Sequence, residues 1–315
     1  MIKELLNKWG KEKTPFLFLI DFEQQKPLAW PLNQVPKNIF YNFNGKTNTS
    51  YKKPLPAPLS FEKKPIPLKE YCQKFEAVQK ELNFGNSFLL NLTCPTEVKT
   101  NLDLYTIYSN AQSKYAFCVE NQFVSFSPET FVKIEAPYIY TYPMKGTIDA
   151  DLPNAEKTIL SNKKEAAEHA TIVDLMRNDL SMIAKEVAII KYRYYEVLQV
   201  QGKNIGQISS EIRGKLPEDF YDTLGDLLYS LLPAGSISGA PKLKTVELIN
   251  SIEVQPRGYY TGVAFYFDGV SLDSCVLIRY LDHDGHFRSG GGITAQSEMN
   301  SEYQEMIDKV YVPFY

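Results

Sequence analysis

Two acidic pairs stand at helical spacing, Glu165 with Glu168 and Glu302 with Glu305, each three residues apart. Residues i and i+3 share a helix face, so each pair projects two carboxylates in one direction. Facing one another, the pairs would offer oxygen ligands to a hard cation, typically Mg2+ with several waters retained. Two solvated helix surfaces are the plainer account, and Lys309, four residues after Glu305, equally fits a surface ion pair. The segment YPMKGT (142–147) places Lys145 between a strand and a Gly-Thr turn. Partly desolvated there, its amine would lose basicity and become nucleophilic; otherwise it is a lysine snorkelling at a strand end. Glu129, in FSPETF, is an acid if buried and a turn residue if not. AGSISGAPK (234–242) and SGGGITA (289–295) are turns whose backbone can approach an anion closely. Neither fits G-x-x-x-x-G-K-[ST] or G-x-G-x-x-G, so a nucleotide site has no support. Arg279, shortly before the second glycine run, could fork onto a carboxylate or simply close a structural ion pair.

Other chemistries fit less well. Gly235-Ser236-Ile237-Ser238-Gly239 matches the hydrolase elbow G-x-S-x-G, with Asp273 or Asp282 and His283 or His286 following in the right order. The elbow needs a strand before it and a helix after it, whereas DLLYSLL reads as helix and Pro233 intervenes. The chain has three histidines, none in H-E-x-x-H or beside paired cysteines, which disfavours zinc.

These groups need a scaffold. The 315 residues, 44% apolar and 23% charged, suit one large or two modest globular domains. The net charge of −3, without a basic run, argues against nucleic acid as a partner. The apolar stretch Phe16 to Ile20 is too short for a membrane, and the N-terminus reads as a charged amphipathic helix without a signal-peptide core. Four irregularly spaced cysteines (72, 94, 118 and 275) suit packed thiols in a reducing, cytoplasmic setting. Residues 1–66, dense in proline, read as a small lead-in element with one strand at Phe16–Asp21 and a linker; residues 67–315 read as the catalytic domain. In the latter, Tyr71, Phe75, Val78 and Leu82 recur at helical spacing until Gly85. Runs such as SFLLNLT, KYAFCVE, QFVSFS and YIYTYPM read as strands. Residues 154–177 read as one helix, AIIKYRYYEVLQV as a strand, Leu224–Leu232 and Leu243–Ile252 as helices, and YYTGVAFYF and SCVLIRYL as strands. A last helix starts near Asn300. Strands in adjacent groups with helices between them indicate an antiparallel-rich α+β fold.

The segments EHATIVDLMRNDL, LPAGSISGAPK, RGYYTG, VLIRY, GGGITA and E-x-x-E-x-x-x-K occur in this order over residues 67–313. The set resembles the chorismate-utilising enzymes, a family that includes anthranilate, aminodeoxychorismate, isochorismate and salicylate synthases. The resemblance implies the anthranilate-synthase-like fold, two packed β-sheets flanked by helices. It implies Glu168 and Glu305 as direct Mg2+ ligands, with Glu165 and Glu302 acting through water. It further implies that Arg279, Tyr260, Lys309, Gly291 and Gly292 grip the enolpyruvyl carboxylate of chorismate. Gly146 and Thr147 would lie against the ring carboxylate, and Ser238 takes the place of a frequent threonine that lines the site.

Within the family, P-x-K-G-T is similar to aminodeoxychorismate synthase component I, whereas anthranilate synthases usually carry alanine at the position of Lys145. The implied chemistry is attack of Lys145 on C2 of chorismate while Glu129 protonates the departing C4 hydroxyl, followed by ammonia at C4. Isochorismate and salicylate synthases activate water with a lysine where this chain has Leu89. Gln207 stands where relatives often carry a histidine associated with pyruvate elimination. The tryptophan-pocket motifs of longer relatives are not found in residues 1–66. No cysteine sits in a glutaminase elbow, so the resemblance implies a heterodimer in which a separate glutamine amidotransferase subunit delivers ammonia.

Overall fold

The computed structural model describes residues 1–200 and 203–314. Its strands form two antiparallel sheets. Elements are numbered in chain order. In the first sheet the order is β11 (Met144–Asp149), β13 (Lys203–Lys215), β10 (Tyr138–Thr141), β9 (Thr130–Glu135), β16 (Leu272–Val276), β15 (Val263–Phe267), β1 (Phe16–Ile20) and β2 (Leu28–Pro31). The long strand β12 (Lys185–Val200) pairs with β13. In the second sheet the order is β14 (Gly239–Ala240), β6 (Leu89–Thr100), β18 (His286–Ile293), β17 (Tyr280–Asp282), β8 (Phe123–Ser127), β7 (Tyr115–Val119), β3 (Ile39–Phe43) and β4 (Lys46–Thr47). There β5 (Phe61–Pro65) pairs with β6. Eight α-helices complete the described residues: α1 (Ile2–Lys11), α2 (Leu68–Phe84), α3 (Leu104–Asn110), α4 (Ala155–Ser161), α5 (Lys163–Ser181), α6 (Leu224–Ser230), α7 (Lys242–Glu253) and α8 (Met299–Asp308). This is the expected α+β fold. Among the described residues no helix is long and apolar enough to cross a membrane.

The run FLFLI explains how the layers meet. All five residues of β1 are buried because the strand lies between β2 and β15 with both faces covered. Its side chains alternate between two cores. Leu17 and Leu19 join Tyr41, Phe43, Phe117 and Phe123 of the second sheet, forming the layer between the sheets. Phe16, Phe18 and Ile20 point the other way, onto the core that α5 and α6 cover.

Several elements differ from the sequence reading. Residues 1–66 supply five strands to both sheets, so no break in packing separates them from the rest; prolines interrupt this stretch without expelling it. The helix expected over 154–177 is two helices. Asn162 ends α4 and caps α5, its side chain accepting from the Glu165 backbone N–H. SCVLIRYL splits into β16 and β17, because Arg279 adopts φ +52° between them. In YYTGVAFYF the strand begins only at Val263, after Thr261 turns the chain at φ +60°. The other helix and strand expectations hold within a few residues, including α2, which Gly85 ends in the left-handed conformation at φ +88°.

Candidate active site

The two acidic pairs lie on α5 and α8, and two strands bring the remaining groups to them. Strand β11 carries a register irregularity between Met144 and Thr147, with Gly146 at φ +95°. Such a bulge re-aims the side chains around it. The Lys145 ammonium then sits 2.9 Å from Glu168 Oε2. A Cβ on Gly146 would stand 2.8 Å from Glu165 Oε2, so only glycine leaves that carboxylate its place. Thr147 is exposed on β11, paired with Gln207. The Gln207 amide donates to Met144 Sδ, Glu196 and Ser209.

On the opposite side, Gly291 and Gly292 pair with Leu92 and Asn91 of β6. A Cβ on Gly291 would meet Glu302 Oε2 at 3.5 Å, and Glu305 Oε1 and the Lys309 amine at 3.6 Å. Lys309 ends α8, 2.6 Å from Glu305 Oε1, and donates to the Gly290 carbonyl at 2.8 Å. Arg279 belongs to the same group. Its Nε is buried without a hydrogen-bond partner, and among the described residues it forms no carboxylate ion pair. Its guanidinium lies 5.7 Å from the Tyr311 ring centre. The structural ion pair that the sequence allowed for Arg279 is therefore absent among the described residues, and a guanidinium with a buried, unpartnered Nε remains at the site.

Cations and carboxylates lie side by side in the site, and each shifts the titration of its neighbours. Burial opposes the charge on Lys145, but Glu168, helped by Glu305 and Glu165, outweighs it and holds the amine above its ordinary range. The expected loss of basicity is thus not seen, because the carboxylates outvote desolvation. Burial lifts the Glu302 carboxyl, and Glu305 adds to the rise. Burial also works against a charged Glu305, yet Lys309, Lys145 and Arg279 together hold its carboxyl below the usual range. For Lys309, burial and the nearby Arg279 and Lys145 outweigh Glu305 and lower the amine. Glu129 follows β8, and burial raises its carboxyl despite Ser236, Arg279 and Lys309. The Ser236 hydroxyl donates to Glu129 Oε1.

The four glutamates fit a hard cation in number and chemistry. Glu165 Oε2 is buried with no partner, an oxygen left for a ligand outside the chain. The Lys145 ammonium stands among these carboxylates as a cation would. Among the described residues, three potential ligand atoms mutually within 4.8 Å occur only at half-buried Asp282 and exposed Asp284 and His286, so the glutamates are more widely spaced than that. Two surface concavities, of about 590 Å3 beside Lys80 and Phe84 and about 310 Å3 beside Asp21 and Arg288, lie away from the site residues.

One expected contact differs. Ser238 is buried and donates to the carbonyls of Ala234 and Gly235, so its hydroxyl staples its own loop instead of facing the site. Tyr260 is buried, its ring 5.9 Å from Tyr280, with Arg279 among the charges acting on it. The elbow reading also fails. The turn Gly235–Ile237 follows helix α6 and precedes β14, and Ser236 bonds to Glu129, not to a histidine.

Sequence reasoning missed the supports of this loop. The buried Arg257 binds Glu253 through two nitrogens, at 2.7 and 2.9 Å. It also donates to the carbonyls of Ile237 and Asn91, tying the loop to β6. Lys242 pairs with Asp179 of α5 at 2.8 Å. His169, fully buried next to Glu168, bonds through Nε2 to Ser210, whose backbone N–H donates to the Pro143 carbonyl near Lys145. The E-x-x-x-R spacing of Glu253 and Arg257 was a legible signal; the long-range partners were not.

The chain matches the family model described as chorismate binding enzyme over residues 13–314. It is 51% identical to an uncharacterized PabA-like protein of Haemophilus influenzae, covering 98% of this chain and 95% of that protein. It is 31% identical to aminodeoxychorismate synthase component 1 of Salmonella typhimurium over 76% of this chain and 56% of that protein. The chain thus spans little more than half of that relative. The crystal structure of anthranilate synthase component I from Streptococcus pneumoniae superposes with a TM-score of 0.68 at 26% identity, covering 82% of this chain and 60% of that one.

Proposed function

The chain belongs to the family of chorismate-binding enzymes, and from that premise we propose that it is the chorismate-aminating component of an aminodeoxychorismate synthase. The observation that carries the reading is Lys145, a half-buried amine on a bulged strand beside the acidic pairs. Chorismate is a dianion, and its two carboxylates would be met by different groups. Arg279, Lys309 and the Gly291–Gly292 backbone would receive the enolpyruvyl carboxylate, with Tyr260 behind them. Magnesium held by Glu168 and Glu305, with Glu165 and Glu302 behind, would neutralise the ring carboxylate. Gly146 and Thr147 would lie against that carboxylate.

The neighbouring carboxylates hold Lys145 as the ammonium, so it first gives up a proton to water; its neutral amine then forms the bond to C2, the ring double bonds shift, and the C4 hydroxyl leaves as water with the proton of Glu129. Burial of Glu129 favours its protonated form, as a general acid requires. Ammonia next bonds to C4 and Lys145 departs from C2, leaving 4-amino-4-deoxychorismate, the precursor of para-aminobenzoate and folate. Two displacements put nitrogen at C4, whereas direct attack of ammonia at C2 leads toward anthranilate. The likeness to anthranilate synthase component I keeps that second reading in play, and Lys145 argues against it. Ammonia would come from a separate glutamine amidotransferase subunit, and the pair would work in the cytoplasm.

The test is intact-mass measurement of the protein incubated with chorismate and Mg2+ but no ammonia. A gain of one chorismate less one water, lost in Lys145→Ala, supports the covalent route. Turnover to the amino product by Lys145→Ala would refute it.

A further inference from the structure

Among the described residues the carboxyl of the proposed acid Glu129 is hydrogen-bonded by one side chain, and that side chain lies in a loop to which the family resemblance attached a different residue. Ser236 Oγ donates to Glu129 Oε1. Both ends of this bond are rigidly held. The Glu129 backbone N–H donates to Ser127 Oγ at 3.0 Å, and its carbonyl accepts from Val276 at 3.3 Å. Ser236 rides on the turn Gly235–Ile237, which is pinned from several sides. Arg257 holds the Ile237 carbonyl at 2.9 Å and Ser238 holds that of Ala234 at 2.9 Å. Gly239 and Ala240 pair with β6, and Lys242 is anchored on Asp179. A hydroxyl on such a support fixes its partner's rotamer.

We propose that Ser236 is a positioning residue that fixes the Glu129 carboxyl by donating to Oε1, leaving Oε2 to carry the transferable proton. This rests on the reading of Glu129 as the general acid. A protonated carboxyl has one oxygen that only accepts and one that bears the proton. With Oε1 occupied by the serine proton, the acid can present only Oε2 to the departing C4 oxygen. Without Ser236 the carboxyl could present either oxygen, and its rotamer would be unfixed.

The charged or titratable groups acting on Glu129 are Arg279 and Lys309, which favour its ionised form, and the buried Cys275 thiol nearby. Ser236 also favours the ionised form. Removing its hydroxyl therefore raises the basicity of Glu129, and whichever limb of the pH profile reports Glu129 moves to higher pH.

The experiment measures chorismate amination against pH at constant free ammonia for the wild type, Ser236→Ala, Ser236→Thr, Glu129→Asp and Glu129→Gln, all with wild-type melting temperatures. Glu129→Asp identifies the limb that belongs to residue 129. Ser236→Ala should lower kcat by up to about tenfold, as for one hydrogen bond between neutral groups. It should move the same limb up by roughly half to one pH unit, and Ser236→Thr should restore both. Full activity in Glu129→Gln would overturn the acid assignment itself. An inactive Glu129→Gln beside a Ser236→Ala with unchanged kcat and limb would overturn the inference alone. So would a Ser236→Ala whose activity falls with the limb unmoved and no rescue by threonine.

Discussion

Replacing Lys145 by methionine should tighten metal binding at the acidic pairs even in the absence of chorismate. The Lys145 ammonium stands 2.9 Å from Glu168 Oε2, with the side chains 26% and 10% exposed. A cation taking up Glu168 must displace that ammonium and then tolerate it nearby. At an effective dielectric near 20, two unit charges at this separation interact by about 6 kcal/mol. Water reaches the lysine, and desolvating the pair opposes much of its attraction, so a quarter to a half of that value is a fair share. The expected gain is about 1.5–3 kcal/mol, or roughly 10- to 150-fold in affinity. Lys164 provides an internal control, since its amine is 3.9 Å from the other oxygen of Glu168 and its side chain is 46% exposed. An exposed pair of this kind contributes about 0.2–1 kcal/mol, so Lys164→Met should change affinity by less than about fivefold. Titration of free Mn2+ by electron paramagnetic resonance reads all three proteins directly. Equal affinity in wild type and Lys145→Met would refute the competition between lysine and metal. Failure of both to bind Mn2+ would refute the acidic pairs as a metal site.

Arg279→Gln should raise KM for chorismate by about 30- to 100-fold, the value of a charge-assisted pair with a carboxylate. It should leave the melting temperature unchanged, because Arg279 forms no carboxylate ion pair among the described residues; a drop in stability with unchanged KM would contradict this. Arg257→Ala leaves Glu253 buried without its cation and should destabilise the fold by about 3–5 kcal/mol, read by urea unfolding. Gly146→Ala asks an L-residue to adopt φ +95° with its Cβ 2.8 Å from Glu165 Oε2. It should cost about 1–2 kcal/mol of stability and weaken both Mn2+ and chorismate binding, whereas intact binding would show that the bulge is not needed to hold the site.

Much of the scaffold was legible because local chemistry decides it. The apolar positions of α2 and its terminal Gly85 need no tertiary information. Asn162 was equally local, a capping residue three before Glu165, and would have divided the helix that periodicity joined. Strand β1 was visible, but its place between β2 and β15 was not, since pairing over more than two hundred residues leaves no mark within the run itself. The break at Arg279 is set by φ +52° in a residue with no intrinsic preference for it, so β-propensity read straight through. Spacing of the glutamates identified both acidic helix faces. Which side chains would meet them depended on a bulge at Gly146 and on the close approach allowed by Gly291, neither of which spacing reveals. The charge state of Lys145 was misjudged for the same reason, because desolvation could be guessed from one segment and the three carboxylates that overcome it could not.

Amination of chorismate at C4 by this chain, as proposed above, is tested most directly by product identity. The purified protein would be incubated with chorismate, Mg2+ and an ammonium salt at mildly alkaline pH, and the products identified by mass and retention time. The expected product is 4-amino-4-deoxychorismate, lost on chelation of Mg2+, with no glutamine-dependent product unless a glutaminase is added. Anthranilate, isochorismate or salicylate would contradict it, keeping the family and overturning the role assigned to Lys145.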